Sequence, residues 1–150
     1  MLVADQASKA WLLDVMAANG FRGIEVTGFF NLVMVWNRGV SFGMLNSGAE
    51  TTRWLLTALA VAVSAGLVVW LARTTQRLPA LAIGLVIGGA LGNALDRVRY
   101  GAVADFFDFH IAGYSWPAFN IADAGITVGV LLLLLDALMA PRSSGKAGGR

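Results

Sequence analysis

Three long apolar runs divide the chain. Trp54–Ala72 is nineteen residues without a charge, and a helix of that length rises about 28 Å, close to a hydrocarbon core of about 30 Å. Leu78–Leu95 is a second uncharged run, with Pro79 where a first helical turn tolerates proline. Ala118–Ala140 is a third run, with an aspartate near each end. The pattern predicts three membrane-spanning helices.

Two other segments have the pattern of strands. Val, Ile, Phe and Trp are dense in Ile24–Leu45, and Gly and Asn punctuate them, which favours strands joined by turns. Phe106–Tyr114 is a second, shorter stretch of this kind. We expect both at the membrane surface, where the tryptophans and tyrosines of the chain can form interfacial belts.

The first eighteen residues are apolar in character but contain two acids and a lysine. We interpret Met1–Ala18 as the far end of a first membrane helix whose beginning is missing, through truncation or a late start codon. Because the chain changes side with each membrane span, the Arg73–Arg77 connection and the polar tail 141–150 are expected on one side of the membrane. Both strand segments are expected on the other side. Lysines and arginines divide five against six, so the positive-inside rule does not fix the orientation.

Composition agrees with a membrane protein. Of 150 residues, 57% are hydrophobic and 13% are charged, whereas soluble domains are nearer a quarter charged. The length suits one domain, 1–150, with 141–150 as a flexible tail. The absence of cysteine excludes disulfides and thiolate chemistry, and the single His110 excludes a multi-histidine metal site. No metal and no cofactor are expected. Nucleic acid is not expected as a partner, because the net charge is only +2 and the basic residues are scattered.

Two aspartates at the edges of apolar runs are the first candidates for chemistry. Asp105 lies in AVADFFDF and Asp123 in PAFNIADAGI. An acid at membrane depth costs roughly 2.5–3.5 kcal/mol at a helix centre, and aromatic neighbours favour the neutral form of Asp105. Asn120 precedes Asp123 by three residues, so both lie on one stripe of the last helix. Helix capping explains one of these two residues easily and both less well.

A second polar group ends the second apolar run. Asn93, Asp96 and Arg97 are spaced i, i+3, i+4 and share one helix face. They fit an interfacial salt-bridge cap, or a group that holds a peptide carbonyl or a carboxylate. Asp5 and Lys9 are spaced for an i, i+4 pair.

Several other positions receive simpler interpretations. Asn37 begins a predicted strand–turn with Arg38 and Gly39. Surface positions are expected for His110, Asp108, Asp14, Glu25 and Glu50.

Glycines recur at four-residue spacing in the second run. Gly84, Gly88 and Gly92 predict close packing of helices. Gly89 could instead admit a substrate backbone.

Five motifs together make the chain similar to a known family. It resembles the lipoprotein signal peptidases (signal peptidase II), and the motifs occur in the order of that family. They are DQASK at Asp5–Lys9, NRGVSFG at Asn37–Gly43, GGALGNALDR at Gly88–Arg97, VADF at Val103–Phe106 and FNIAD at Phe119–Asp123.

The resemblance implies a fold and a place in the cell. The expected fold is a mostly α membrane protein, a four-transmembrane-helix bundle with a small extracytoplasmic β-cradle, its first helix truncated here. The expected protein is a monomeric aspartic endopeptidase of the bacterial inner membrane, with its active site on the extracytoplasmic side. Its implied partners are membrane lipids and a prolipoprotein, which it would cut just before a diacylglyceryl-modified cysteine.

The resemblance also assigns roles. Asp105 and Asp123 match the catalytic pair. The matching polar positions around it, for substrate binding or support, are Asn93, Arg97 and Asn120, and further motif positions are Asp5, Lys9, Asn37 and Asp96.

Such a pair suits amide hydrolysis. Two neighbouring carboxylates do not both ionise readily, so one keeps a proton. The ionised acid takes a proton from water and the protonated acid assists the carbonyl and the leaving amine, in a pair that titrates as a unit. Two other classes remain open: a small transporter or proton-conducting bundle that uses the acids as relay sites, and a scaffold subunit packed through its glycines.

Overall fold

A computed structural model of the chain describes residues 1–39 and 49–139. The last residues of the NRGVSFG motif and the tail 141–150 lie outside this range. The elements, in chain order, are α1 (Leu2–Ala18), β1 (Ile24–Thr27), β2 (Phe30–Asn37), α2 (Ala49–Arg73), α3 (Arg77–Tyr100), β3 (Val103–Ile111), β4 (Tyr114–Ser115) and α4 (Ile121–Met139).

Three of the helices can cross a membrane. Within the described residues, α2, α3 and α4 are long and apolar enough to do so, which confirms the three predicted spans. A fourth span stays a prediction, because α1 is not among them. The connection between α2 and α3 is short, and both strand pairs lie at the other ends of these helices.

The helices pack with their apolar side chains outward. α3 lies between α2 and α4 and also contacts α1. Large apolar side chains on α2 and α4, such as Leu59 and Leu134, are more than half exposed. Lipid is as apolar as leucine, so such faces suit a bilayer and small residues are left for the helix contacts.

Glycine positions match these contacts in part. A Cβ on Gly92 would lie 2.5 Å from Asp5 Oδ2, and one on Gly88 would meet Met1, so both glycines pack against α1 as predicted. Gly84 faces open space, so the prediction is wrong for this residue. A Cβ on Gly89 would lie 2.5 Å from the Ala122 carbonyl oxygen, so helix packing occupies the space suggested for substrate.

The four strands form one antiparallel sheet in chain order. Strand β3 begins at Val103, three residues before the predicted start, because Asn37 pairs with Val103 and Val35 with Asp105. Asp105 therefore lies inside a strand. An irregularity between Leu32 and Val35 interrupts the pairing of β2 with β3.

The sheet rests on α1. Leu12 and Met16 of α1 form a small core with Ala104 and Phe106 of β3. Because Asp105 lies between these last two, its side chain leaves the opposite face of the strand.

Candidate active site

The first turn of α4 is closed by a reciprocal pair of hydrogen bonds. The Asn120 backbone N–H donates to Asp123 Oδ2 at 3.2 Å, and the Asp123 N–H donates to Asn120 Oδ1 at 3.0 Å. This is the geometry of a capping box, in which two unpaired donors of a helix start are satisfied together. Helix capping therefore accounts for both residues, whereas the sequence alone favoured capping for only one of them. The two capping hydrogen bonds leave Asn120 Nδ2 and Asp123 Oδ1 available for other partners.

Those two remaining atoms join the aspartates. Asn120 Nδ2 lies 2.7 Å from Asp105 Oδ1 and 3.1 Å from Asn93 Oδ1. Asn93 Nδ2 in turn donates to Asp123 Oδ1 at 2.7 Å. Asp105 and Asp123 thus belong to one hydrogen-bonded cluster, although they come from a strand and a helix.

Strand β2 supplies a third amide to this cluster. Asn37 Nδ2 donates to Asp105 Oδ2 at 3.0 Å. Asn37 pairs with Val103, two residues from Asp105, so the two side chains are diagonal neighbours on one sheet face. Asn37 Oδ1 accepts the Gly39 N–H at 2.9 Å, and Gly39 has φ +89°, which confirms the predicted turn after the strand.

Burial raises the pKa of Asp105. The side chain is almost fully buried, and loss of water raises its pKa to about 6, with a further increase from the charge of Asp123. The hydrogen bonds from Asn37 and Asn120 and the charge of Lys9 oppose this change. The direction confirms the expectation that the surroundings of Asp105 favour its neutral form.

Lys9 is buried between two further acids and one amide of the site. Its Nζ lies 3.0 Å from Asp5 Oδ2, 2.7 Å from Asp96 Oδ2 and 3.2 Å from Asn93 Oδ1. The predicted pair of Asp5 and Lys9 forms, with Asp96 as a second acid. Through Asn93 this ion cluster touches the site.

Asp5 and Asp96 fasten separate elements together. Asp5 Oδ1 accepts the Ala122 N–H at 3.0 Å and so ties α1 to the start of α4. Asp96 Oδ2 accepts the Ala104 N–H at 3.2 Å and fixes the start of β3. Neither carboxylate has a hydrogen bond to the Asp105 or Asp123 side chain in the described part of the chain, and both join elements around the site.

Gln6 belongs to this cluster and was missed from the sequence. Its Nε2 lies 3.1 Å from Asp5 Oδ2 and 3.0 Å from Asp96 Oδ1, and its Oε1 accepts from Arg99. Its position within DQASK, beside Asp5, was the available signal.

Arg97 contacts Asn93, a member of the hydrogen-bonded cluster that contains Asp105 and Asp123. Its Nη1 donates to the Asn93 carbonyl oxygen at 3.3 Å. Its Nε is buried and lacks a hydrogen-bond partner among the described residues. The guanidinium group is thus tied to Asn93 and lies within electrostatic reach of Asp105 and Asp123.

The other polar residues lie away from this cluster. Asp14, Glu25 and Glu50 are exposed, as expected. Asp108 is half-buried rather than free in water: it accepts from Asn31 Nδ2 at 3.3 Å and lies 3.6 Å from His110 Nδ1. His110 lines an open apolar groove at the far end of β3, with Phe119 in its wall.

One further acid, Asp136, lies at the opposite end of α4 from Asp123. Asp136 lines a small groove with Arg73 at the α2–α3 connection. Because α4 carries Asp123 at its start, Asp136 is a helix length away from the cluster.

The cluster can perform acid–base chemistry. It holds two carboxylates, one of them with a pKa of about 6, within a frame of amide donors. A carboxyl group that titrates near neutral pH can both donate and accept a proton.

Comparison with known proteins identifies the family. A family model described as signal peptidase (SPase) II matches residues 1–139. A lipoprotein signal peptidase of Beijerinckia indica is 48% identical over 136 residues, which are 91% of this chain and 81% of the relative. One from Methylobacterium sp. strain 4-46 is 49% identical over 135 residues, 90% of this chain and 82% of the relative.

Solved structures agree in fold. A bacterial membrane enzyme determined by the in meso method superposes with a TM-score of 0.75 at 31% identity, over 99% of this chain and 89% of the other. A second gives a TM-score of 0.76 at 34% identity, over 93% and 88%. The match covers the helices, the sheet and every residue of the cluster, and the chain belongs to the signal peptidase II family.

Proposed function

We propose that Asp105 and Asp123 are the catalytic pair of this peptidase. As a member of the signal peptidase II family, the protein removes signal peptides from prolipoproteins. The observation that carries the assignment is the amide bridge: Asn120 Nδ2 reaches Asp105 Oδ1 at 2.7 Å, and the Asn120 backbone N–H reaches Asp123 Oδ2 at 3.2 Å.

The reaction needs one proton on the pair. The ionised carboxylate takes a proton from a water molecule, whose oxygen attacks the scissile carbonyl carbon. The protonated carboxyl gives its proton to the carbonyl oxygen. As the C–N bond breaks, the carboxyl that took the proton from water gives it to the leaving amine. A hydroxyl proton of the tetrahedral intermediate returns to the other carboxylate, so the pair again holds one proton and the signal peptide departs with a new carboxyl group.

The surrounding amides orient the pair. Each side-chain amide that contacts the carboxylate group of Asp105 or Asp123 does so through its Nδ2 group, so the carboxylate oxygens are held in place by donors. Fixed dipoles of this kind stabilise developing charge without rearranging during the reaction. Arg97 interacts electrostatically with both aspartates, and its guanidinium group has five donors, with which it would hold a carbonyl or ester oxygen of the substrate.

The substrate and its surroundings follow from the family and the chain's surface. We infer a prolipoprotein with a diacylglyceryl-cysteine, cut just before that residue, with its acyl chains in the lipid along the exposed apolar helix faces. The site would face the extracytoplasmic side of the bacterial inner membrane. A monomer suffices, since one chain supplies the whole amide and carboxylate cluster.

Conservative replacement of each acid tests the chemistry. Asp105→Asn and Asp123→Asn should each abolish cleavage of a purified diacylglyceryl prolipoprotein, measured as a gel mobility shift, while the variants still insert and fold. Asp14→Asn is the matched control, because Asp14 is exposed and its loss should leave turnover unchanged. Turnover by either site variant would remove that residue from the chemistry.

The lack of cysteine permits a clean test of orientation. Single variants Glu25→Cys on β1 and Thr75→Cys in the α2–α3 connection place thiols at opposite ends of the bundle. A membrane-impermeant maleimide added to intact spheroplasts should label the first and spare the second. The reverse pattern would contradict the proposed orientation.

A further inference from the structure

We propose that Lys9 is a positioning residue, whose ammonium group fixes the direction of the Asn93 amide and so aims its N–H at Asp123. The inference rests on the proposed function, because it gives Lys9 a task in the reaction of Asp105 and Asp123. It adds a residue outside the pair and makes its charge part of the active site.

The Asn93 amide has two orientations that differ in which atom meets Asp123. In the structure Asn93 Nδ2 donates to Asp123 at 2.7 Å, while Asn93 Oδ1 faces Lys9 Nζ at 3.2 Å and Asn120 Nδ2 at 3.1 Å. A lysine ammonium group has three donors and no acceptor. The Asn93 nitrogen therefore cannot face Lys9, and the turned amide would set two donors against each other.

The position of Lys9 is itself fixed. Its side chain is 3% exposed, and two carboxylate oxygens lie within 3.0 Å of its Nζ. Asp5 comes from the same helix and Asp96 from α3, so the ammonium group is held from two sides. Asp5 on α1 and Asp96 on α3 contact Lys9 directly, and Asp105 on β3 feels its charge. Asp123 on α4 is linked to Lys9 through Asn93. Arg97 on α3 interacts with Asp96, Asp105 and Asp123.

Lys9 also acts by its charge. Its field lowers the pKa of Asp105, against the larger increase from burial. Without Lys9, that field is lost, and one of the two donors that hold Asn93 Oδ1 away from Asp123 is removed, which leaves Asn120 Nδ2 alone. Both changes favour a protonated pair, so the pair should keep its proton to higher pH.

The pH dependence of kcat/KM separates this role from a structural one. Lys9→Met alone would leave two buried acids without a cation, so the test uses Lys9→Met with Asp96→Asn, which keeps the summed charge of residues 5, 9 and 96 at −1 (from −1 +1 −1 to −1 +0 +0). We expect kcat to fall by up to about 100-fold and the alkaline limb of the profile to move to higher pH. Asp96→Asn alone should not move the limb upward.

Lys9→Arg separates charge from geometry and serves if the double variant does not fold. It keeps a positive charge but replaces three tetrahedral donors with a planar fork. We expect the alkaline limb to stay in place and kcat to fall. An unmoved limb in a folded double variant, or a wild-type kcat in Lys9→Arg, would overturn the proposal.

The wild-type protein and Asp105→Asn show whether a failure concerns the proposed function or only the role of Lys9. If the wild type does not cleave, or if Asp105→Asn does, the proposed function fails. If both behave as expected while the Lys9 variants match the wild type, only the role of Lys9 is wrong.

Discussion

Asn120 and Asp123 each donate a backbone N–H to the side chain of the other, so the residues that start α4 are also the residues that hold the two acids. One amide therefore has two tasks. Its oxygen caps the helix, and its nitrogen reaches Asp105 at 2.7 Å.

Substitutions at Asn120 should separate these tasks. Serine is a good N-cap but has no amide nitrogen, and alanine supplies neither group. We expect Asn120→Ser and Asn120→Ala both to lose activity. Only Asn120→Ala should lose stability as well, by about 0.5–2 kcal/mol, measured by unfolding in detergent. A fully active Asn120→Ser would show that the bridge to Asp105 is dispensable.

Activity should depend on pH through Asp105. Its pKa is raised to about 6 from an ordinary 3.8, so the proton persists to that pH and is lost above it. With both acids ionised, no proton remains for the carbonyl oxygen. We expect kcat/KM to fall about tenfold per pH unit above the pKa, measured with one substrate across pH 5 to 8. A flat profile over this range would contradict a shared proton.

Asn37 should affect the pH above which kcat/KM falls. Its hydrogen bond lowers the pKa of Asp105, so Asn37→Ala should raise the pKa and move the alkaline limb to higher pH. Asn31→Ala is the matched control on the same strand, since Asn31 donates to Asp108 instead. An equal displacement in both variants would indicate a general effect on the sheet.

Gly89 should be needed for the contact of α3 with α4. An alanine Cβ there would lie 2.5 Å from the Ala122 carbonyl oxygen and 2.7 Å from Ile126 Cγ1. We expect Gly89→Ala to destabilise the protein by about 1–3 kcal/mol, measured by thermal unfolding in detergent. Gly84→Ala is the control, because nothing lies within 4 Å of its Cβ position. Equal stability of the two variants would contradict this packing.

The spans could be predicted from the sequence because lipid imposes a simple rule. A run such as Trp54–Ala72 can bury its backbone only as a helix, and α2 covers it. The start of β3 could not be found in this way. Val103 and Ala104 lie next to a helix end, and their strand conformation comes from pairing with Asn37 and Trp36, far away in sequence.

The site could be predicted only in its parts. Motif resemblance selected Asn120 and Asp123, but the spacing did not reveal that they cap each other. The contact of Asp5 with the Ala122 N–H joins residues 117 positions apart, which no local pattern encodes. Gln6 was missed for the same reason: its amide gains a role only when α1 lies against α3.

The hydrogen bond between the Ala122 N–H and Asp5 also bears on the order in which the protein is assembled. Asp5 is synthesised 117 residues before Ala122, and its acceptor role waits until the last helix has been made. At about 5–20 residues per second, the thirty residues between Asn93 and Asp123 take seconds to synthesise, so Lys9 and Asn93 exist for that time without Asp123. The proposed catalytic pair is therefore complete only when the final helix has been made, and a chain halted before it lacks one of the two acids.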